Sequence, residues 1–483
     1  MSSIVKFLVG VAISAFVCLC WSGPAKDHYY WFMGLAVPTL AVLRGLESNL
    51  DIPNALLSVL DTCLLACSGI VLGLAVLPKV WIIFNGIITK LSTYPQTQAS
   101  QRFTKPKDCL TIIDGNKMPN ETINEMNKFE ARAIPNQRLV LAFDIHNCFT
   151  TSDKAVCEKF RKKVEDKMYF PEEKWKELAA MARSSVKTEL NRSSSELSLF
   201  EVVQSVTMQM VRTIFFDTSG TSVSNSSIRC LAQEINEQWL RSKDPTTHDQ
   251  TASPDWSFHK QQPLRDALAA AFPQWNGDKD TNPLNLILPG YETLWRVVLR
   301  CFVEISSRNH ANSSQWQSSL TNFLSNPTRK ELENTADPSI PSSSMIAKEA
   351  LRLYPPTRRI YRHFKDKSST QYEIAADVEG MHRDTEIWGL DAKVFRPERW
   401  YHIDRDFEDS HWLPFGAKPF RCPAKFWPKQ GILPFGVAMI ALLTAALLEG
   451  GWACDVGFED GGEPLETGRI AYRDVVLRSR LLE

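Results

Sequence analysis

Three groups of residues in the second half of this 483-residue chain could do chemistry. Residues 413–424 read LPFGAKPFRCPA and hold one thiol, Cys422, between Arg421 and Pro423 on a loop punctuated by Pro and Gly. A thiol placed so is a metal ligand, a buried structural cysteine or an accident of sequence. In KEALRLYPPTRR, Glu349 and Arg352 stand three apart and share one face of a helix. As a surface pair they would contribute under about 1 kcal/mol. Arg399, in FRPERW, can add a second guanidinium, and a carboxylate buried between two guanidiniums would lock the fold near a site. In ILPGYETLWRV, Glu292 and Thr293 are adjacent. An acid beside an alcohol can order water for proton transfer; without other signals they are equally the solvated polar edge of a helix.

The elements that must position these groups are mostly helical. PEEKWKELAAMARSSVKTEL opens on Pro and acids and spaces Trp175, Leu178, Ala179 and Met181 at helical intervals. SELSLFEVVQSVTMQMVRTIFF predicts a buried amphipathic helix. PLNLILPGYETLWRVVLRCFVEI predicts a longer one, with Pro289 and Gly290 expected to break one or more of its hydrogen bonds and open a groove. Residues 241–263 and 307–345 read as loops or helix connections. RRIYRHF and QYEIAADV read as short strands. GILPFGVAMIALLTAALL carries no charge, and its position after the cysteine loop favours a core helix over a membrane span. The fold class is mostly α with a small β part.

Composition bounds the function. Lys and Arg number 55 and Asp and Glu 55, so there is no basic excess for nucleic acid. The 11 cysteines include no C-x-x-C pair, which excludes a zinc ribbon or a thioredoxin-like dithiol. Sequons at Asn120, Asn191, Asn225 and Asn312 read as chance matches on a cytosolic domain. The outlier is the N-terminus, where residues 7–25 and 62–78 are nearly all apolar and long enough for membrane helices. A cleaved signal peptide is the competing reading for the first. The shorter stretch 29–43 reads as a hydrophobic surface or core helix. Residues 1–95 are therefore expected to be a membrane-anchor region with one or two transmembrane helices, and 96–483 the catalytic domain. Lys90, Arg102, Lys105 and Lys107 follow the last apolar segment and place that domain in the cytosol. Most of the chain is too charged for a transporter.

In this order and at these spacings, the E-x-x-R helix, the P-E-R segment and a Phe-Gly loop with Cys422 seven residues after Phe415 resemble the cytochrome P450 family. The resemblance covers roughly residues 100–483, and the anchor is similar to that of microsomal members. HRDTEIWGLDAKVFRPERW resembles the fungal branch, often found in secondary metabolism. The resemblance implies haem b with Cys422 as axial thiolate, which pushes electron density to iron. It implies Phe415 packed beneath the ring, Arg362 on a β-segment as a propionate cation, and a structural triad of Glu349, Arg352 and Arg399. Gly290 and Thr357 would line the substrate pocket, and Glu292 and Thr293 would deliver protons.

The implied reaction is insertion of one oxygen atom into an apolar small molecule, such as a terpenoid, polyketide or alkaloid. Electrons would come from NADPH through NADPH-cytochrome P450 reductase, with cytochrome b5 a further donor, at the endoplasmic reticulum membrane. No G-x-G-x-x-G module appears in the chain, so the reductase is a separate partner. Desaturation, ring closure or rearrangement on the same fold is the first alternative, and a non-catalytic haem-binding protein the second. The chain departs from the pattern at Lys418, where many members have Gly, and at Phe420, where many have a basic residue. Arg421 is then a candidate for the propionate contact. Ala179 stands where many members have Arg four residues after the early Trp, so Trp175 reads as structural. Arg358 is polar for an apolar pocket and is expected to point elsewhere.

Overall fold

A helix apolar on every face must be buried on every side. Residues 435–449 satisfy that condition, and the rest of the chain is arranged around them. The structure is a computed structural model that describes residues 101–192, 197–216, 223–244, 256–334, 337, 339–425, 432–455 and 462–479. These fall in one compact unit, Ala99–Glu483. The apolar stretches 7–25, 29–43 and 62–78 lie outside the described residues. No described helix is long and apolar enough to cross a membrane.

The longer described helices are α1 (Pro106–Asp114), α2 (Lys128–Ala133), α3 (Gln137–Phe143), α4 (Lys154–Met168), α5 (Glu172–Leu190), α6 (Leu199–Phe215), α7 (Asn225–Arg241), α8 (Gln262–Ala271), α9 (Leu284–Ser306), α10 (Ser313–Ser325), α11 (Ser343–Leu353) and α12 (Phe435–Glu449). Strands β1 (Gln101–Phe103), β3 (Arg359–Lys365) and β4 (Gln371–Asp377) form one sheet in the order β1-β4-β3, with β1 parallel and β3 antiparallel to β4. Strands β2 (Leu197–Ser198), β6 (Val476–Ser479) and β5 (Trp452–Cys454) form a second, antiparallel sheet. The mostly helical class with a small β part is therefore observed.

Helix α12 is buried from Phe435 to Leu448, and α5, α9, α10 and α11 pack around it. It is a core helix, as its position after the loop implied. Helix α6 lies against α9. Residues 313–325, within a stretch expected to be loops or connections, form α10. Its buried Trp316, Leu320, Phe323 and Leu324 recur every three to four residues among many Ser and Asn, so tertiary packing overrides a weak local propensity.

The helix hydrogen bond expected to break at Pro289 is lost, but the helix does not end there. α9 runs unbroken through Pro289. Proline at that position cannot donate to the carbonyl four residues earlier, which is that of Asn285. The Asn147 side chain fills the gap, donating from Nδ2 to Asn285 O at 3.0 Å. The Asn285 side chain in turn accepts from the His146 amide at 2.8 Å. The helix stays continuous because a neighbouring turn supplies the missing donor. At Gly290 an added Cβ would stand 3.4 Å from the Phe215 ring, so the glycine is where α6 approaches α9.

Asn147→Leu is expected to lower stability by about 1–3 kcal/mol, the cost of an orphaned buried carbonyl. In a Pro289→Ala background, where the helix regains its own donor, the same change should cost clearly less. Urea unfolding of the four proteins in this cycle measures the difference.

Candidate functional site

Glu349 organises the support of the site. It lies on α11, wholly buried, and a buried carboxylate needs every lone pair engaged. Arg352 Nε donates to Oε2 at 2.9 Å and its NH2 to Oε1 at 2.8 Å. Arg399 Nε donates to Oε1 at 2.9 Å, the Arg396 amide to Oε1 at 2.9 Å and Trp400 Nε1 to Oε2 at 3.1 Å. Burial alone would raise this carboxyl, but Arg352, Arg399 and the Arg396 amide hold it below its ordinary value. The predicted triad of Glu349, Arg352 and Arg399 is thus brought together by hydrogen bonds.

The remaining donors of the two guanidiniums reach mostly backbone, with Arg399 NH1 also donating to Asp391 Oδ1 at 3.2 Å. Arg352 NH1 bonds the carbonyls of His382 and Ala392, both at 2.6 Å, and Arg399 NH2 bonds Asp391 O at 2.9 Å. His382 then links the triad to the thiol loop, a connection that sequence reasoning missed. Its Nδ1 donates to Arg352 O and its Nε2 accepts from the Leu413 amide, both at 3.0 Å. This pattern requires a neutral ring, and burial with the nearby Arg352 pushes its pKa down to about 3.

Leu413 opens the loop that carries Cys422. Gly416 adopts a positive φ of 67° and its amide bonds Leu413 O at 2.9 Å, which starts the turn. The Cys422 amide closes the loop onto Phe415 O at 2.8 Å. The Phe415 ring rests on the first turn of α12 at Gly436, where an added Cβ would come within 2.7 Å of it. Cys422 keeps accessible surface, yet burial pushes its thiol up to about 11 while the Ala424 amide bonds it and works the other way. A side chain can be accessible and desolvated together when it faces an enclosed space. Such a thiol loses its proton readily only to a metal cation.

Two more cations meet at the loop. Arg362 on β3 and Arg132 on α2 are both buried, with their guanidiniums 5.1 and 4.7 Å from the centroid of the Phe420 ring. Arg362 donates to Tyr361 O at 2.8 Å and Ile113 O at 3.1 Å, and its buried Nε has no partner. Burial and Arg132 lower Arg362 to about 9, so it remains a cation at neutral pH. Neither arginine pairs with a carboxylate among the described residues. Phe420 thus stands where a basic residue was expected and stacks two guanidiniums brought from elsewhere. Arg132 was not found from the sequence, since its element bears no recognised motif. Arg421, by contrast, has NH2 3.6 Å from Asp409 Oδ1.

A thiol bonded by an amide, together with two buried guanidiniums that have no carboxylate partner among the described residues, suits haem, an iron macrocycle with two carboxylates. Cys422 is placed to hold the iron, and Arg132 and Arg362 to hold the carboxylates. Trp175 is fully buried against Phe170 and Phe435, and its Nε1 has no hydrogen-bond partner among the described residues.

On the other side, every residue of α9 is buried except Pro289, Gly290, Thr293 and Arg296. Their spacing of three to four puts them on one face. Thr293 Oγ1 donates to Pro289 O at 2.9 Å and lies 3.0 Å from Gly290 O. Glu292 is buried, with Oε2 paired to Arg469 and Oε1 without a partner. Thr357 is exposed. Arg358 NH1 turns to Thr467 Oγ1 at 3.0 Å.

Residues 319–423 match the cytochrome P450 family. Among curated relatives, putative cytochrome P450 CYP13A1 of Caenorhabditis elegans is 39% identical over 87 residues, covering 16% of this chain and 17% of that protein. Cytochrome P450 monooxygenase claQ of Ampulloclitocybe clavipes is 30% identical over 169 residues, covering 29% and 30%. The chain therefore spans less than a third of the length of these relatives. Ligand-free cytochrome P450 OleT aligns at 13% identity with a TM-score of 0.45, covering 78% of this chain and 98% of that one.

The triad and its histidine link predict an acid limb in stability. His382 has its pKa lowered in the fold, so the unfolded chain takes up protons first. Its contribution is complete above its ordinary value near 6.5 and falls as pH drops toward 3, by at most about 1.4 kcal/mol per pH unit. Glu349, held below its usual value, adds a further loss as pH falls through its folded value. Urea midpoints measured from about pH 7 down to 4 should decline in this way, and His382→Gln should flatten the upper part of the decline.

Proposed function

We propose, on the premise that residues 319–423 belong to the cytochrome P450 family, that this protein is a haem-thiolate monooxygenase with Cys422 as the iron ligand. The observation that carries the reading is the Cys422 thiol bonded by the Ala424 amide, on a loop that also gathers Arg132 and Arg362. When bound, haem with a thiolate ligand supplies the activation of oxygen for insertion of one atom into a small molecule.

The chain's own residues set the conditions for that chemistry. The Ala424 amide steadies the sulfur, and the Cys422 amide, tied to Phe415 O, holds the loop in shape. Phe415 is wedged against the first turn of α12 at Gly436. On α9, Thr293 spends its hydroxyl proton on a helix carbonyl, which leaves Oγ1 as an acceptor on the open face. It can hold the water that carries a proton inward. Glu292 Oε1 is the neighbouring acceptor, while Arg469 keeps Oε2.

Electrons come from NADPH through a separate reductase, with cytochrome b5 a further donor. The support is α4, packed beside residues 423–425 and exposing Lys159, Lys162 and Lys163, a basic face for an acidic partner. The substrate is a small molecule with a large apolar part, in keeping with the apolar helices around α9. The resemblance of residues 382–400 to the fungal branch of the family supports a natural-product substrate such as a terpenoid, polyketide or alkaloid. Residues 1–95 anchor the enzyme in the endoplasmic reticulum membrane with the catalytic domain in the cytosol.

Cys422→Ala should lose the red-shifted carbon monoxide band of the reduced protein and all turnover; retained turnover would show that the ligand lies elsewhere. Thr293→Ala should keep that band and still consume NADPH, but release hydrogen peroxide in place of product. Peroxide assay against product yield reads the difference, and unchanged coupling would assign proton delivery to another group.

A further inference from the structure

Positive charge gathers beside the open face of α9 beyond what the local acids can balance. Arg138 on α3 and Arg469 stack on the same ring, each 4.8 Å from the centroid of Trp239. Arg138 NH1 also donates to Ser242 Oγ at 2.6 Å, beside Lys243. Across from them, Arg296 NH1 donates to Pro356 O at 2.8 Å and its NH2 to Thr467 O at 3.3 Å. Arg358 shares Thr467 through its hydroxyl at 3.0 Å. These bonds go to neutral oxygens and fix the guanidiniums without cancelling their charge.

The acids nearby are fewer than the cations, and Glu292 is the one that also acts on Arg138 and Arg296. Glu292 pairs with Arg469, and Glu379 lies 3.2 Å from Arg383 and 3.8 Å from Arg358. Among the described residues, Arg138, Lys243 and Arg296 have no carboxylate within ion-pair distance. Lys243 is accessible, yet burial and the guanidiniums of Arg138, Arg469, Arg296 and Arg358 push it down to about 8. It stays protonated at neutral pH beside like charges. Holding cations together this way is unfavourable until an anion joins them. Arg469 lies over the rings of Trp239 and Trp295, and Arg296 stands one helical turn along α9 from Thr293.

We propose that the substrate carries a carboxylate, seated among Lys243, Arg138 and Arg296, while its apolar body lies along α9 toward Thr293. This rests on the reading of the open α9 face as the substrate side of the enzyme. The cation cluster then selects organic acids and fixes which end of the molecule faces the reacting centre.

The test is titration calorimetry on the full-length protein near pH 7, with biphenyl-4-carboxylate and dodecanoate each set against its methyl ester. The acids should bind at least about tenfold more tightly, and the advantage should shrink in high salt. Lys243→Gln and Arg138→Gln should each reduce the ratio to under about threefold and leave ester binding unchanged, while Lys243→Arg retains it. Thermal melts matching the parent protein confirm that the variants are folded. Equal binding of acid and ester, no binding of either acid, or an acid preference that survives in the Lys243→Gln/Arg138→Gln double variant overturns the proposal. Calorimetry does not depend on haem chemistry. A normal thiolate carbon monoxide band without acid preference removes this inference alone, and acid preference without that band removes the oxygenase reading alone.

Discussion

The buried carboxylate of Glu349 is the constraint on which the rest depends. An ion in a dry interior is tolerated only when its oxygens are fully bonded and opposite charge is close. Two guanidiniums, one amide and one indole meet that demand. The guanidiniums have donors left over, and these bind the carbonyls of residues 382–394, so the connection after the first sheet is wrapped onto α11. His382 carries the same network on to Leu413, where the thiol loop begins. The position of Cys422 is in this sense a consequence of satisfying one charge.

Three sets of arginines illustrate how one side chain serves different ends. Around Glu349 the guanidiniums have a carboxylate and act as structure. Around Phe420 they lie on an aromatic ring without a carboxylate, which suits the acid groups of a cofactor. Around Lys243 they are fixed through neutral oxygens beside α9. What separates the sets is the partner that the fold brings to each. A single guanidinium in a sequence reveals none of this.

The long helix shows local chemistry being rescued by tertiary structure. Pro289 removes a donor and should by local rules interrupt α9. Asn147, far away in sequence, restores the lost bond and keeps the helix whole. The lost hydrogen bond therefore leaves no interruption in the helix. The open stripe along α9 comes from the spacing of its unburied residues.

Much of the site was legible because its motifs are local. E-x-x-R puts two charges on one helical face, and a Phe-Gly turn followed by Cys makes a loop whatever surrounds it. The amphipathic periods of α5, α6 and α9 and the apolar run of α12 are likewise properties of the chain alone, because side-chain spacing decides which face is buried. Arg132, His382, Asn147 and Lys243 were not legible. Their roles exist only through partners 30 to more than 200 residues away, and no local pattern marks a residue whose partner is distant. The sequence by itself determined the helical class, the thiol loop and the charged pair that supports it. Only the tertiary structure decided which cations gather at that loop and which gather beside α9, because counter-ion balance is settled by distances in space.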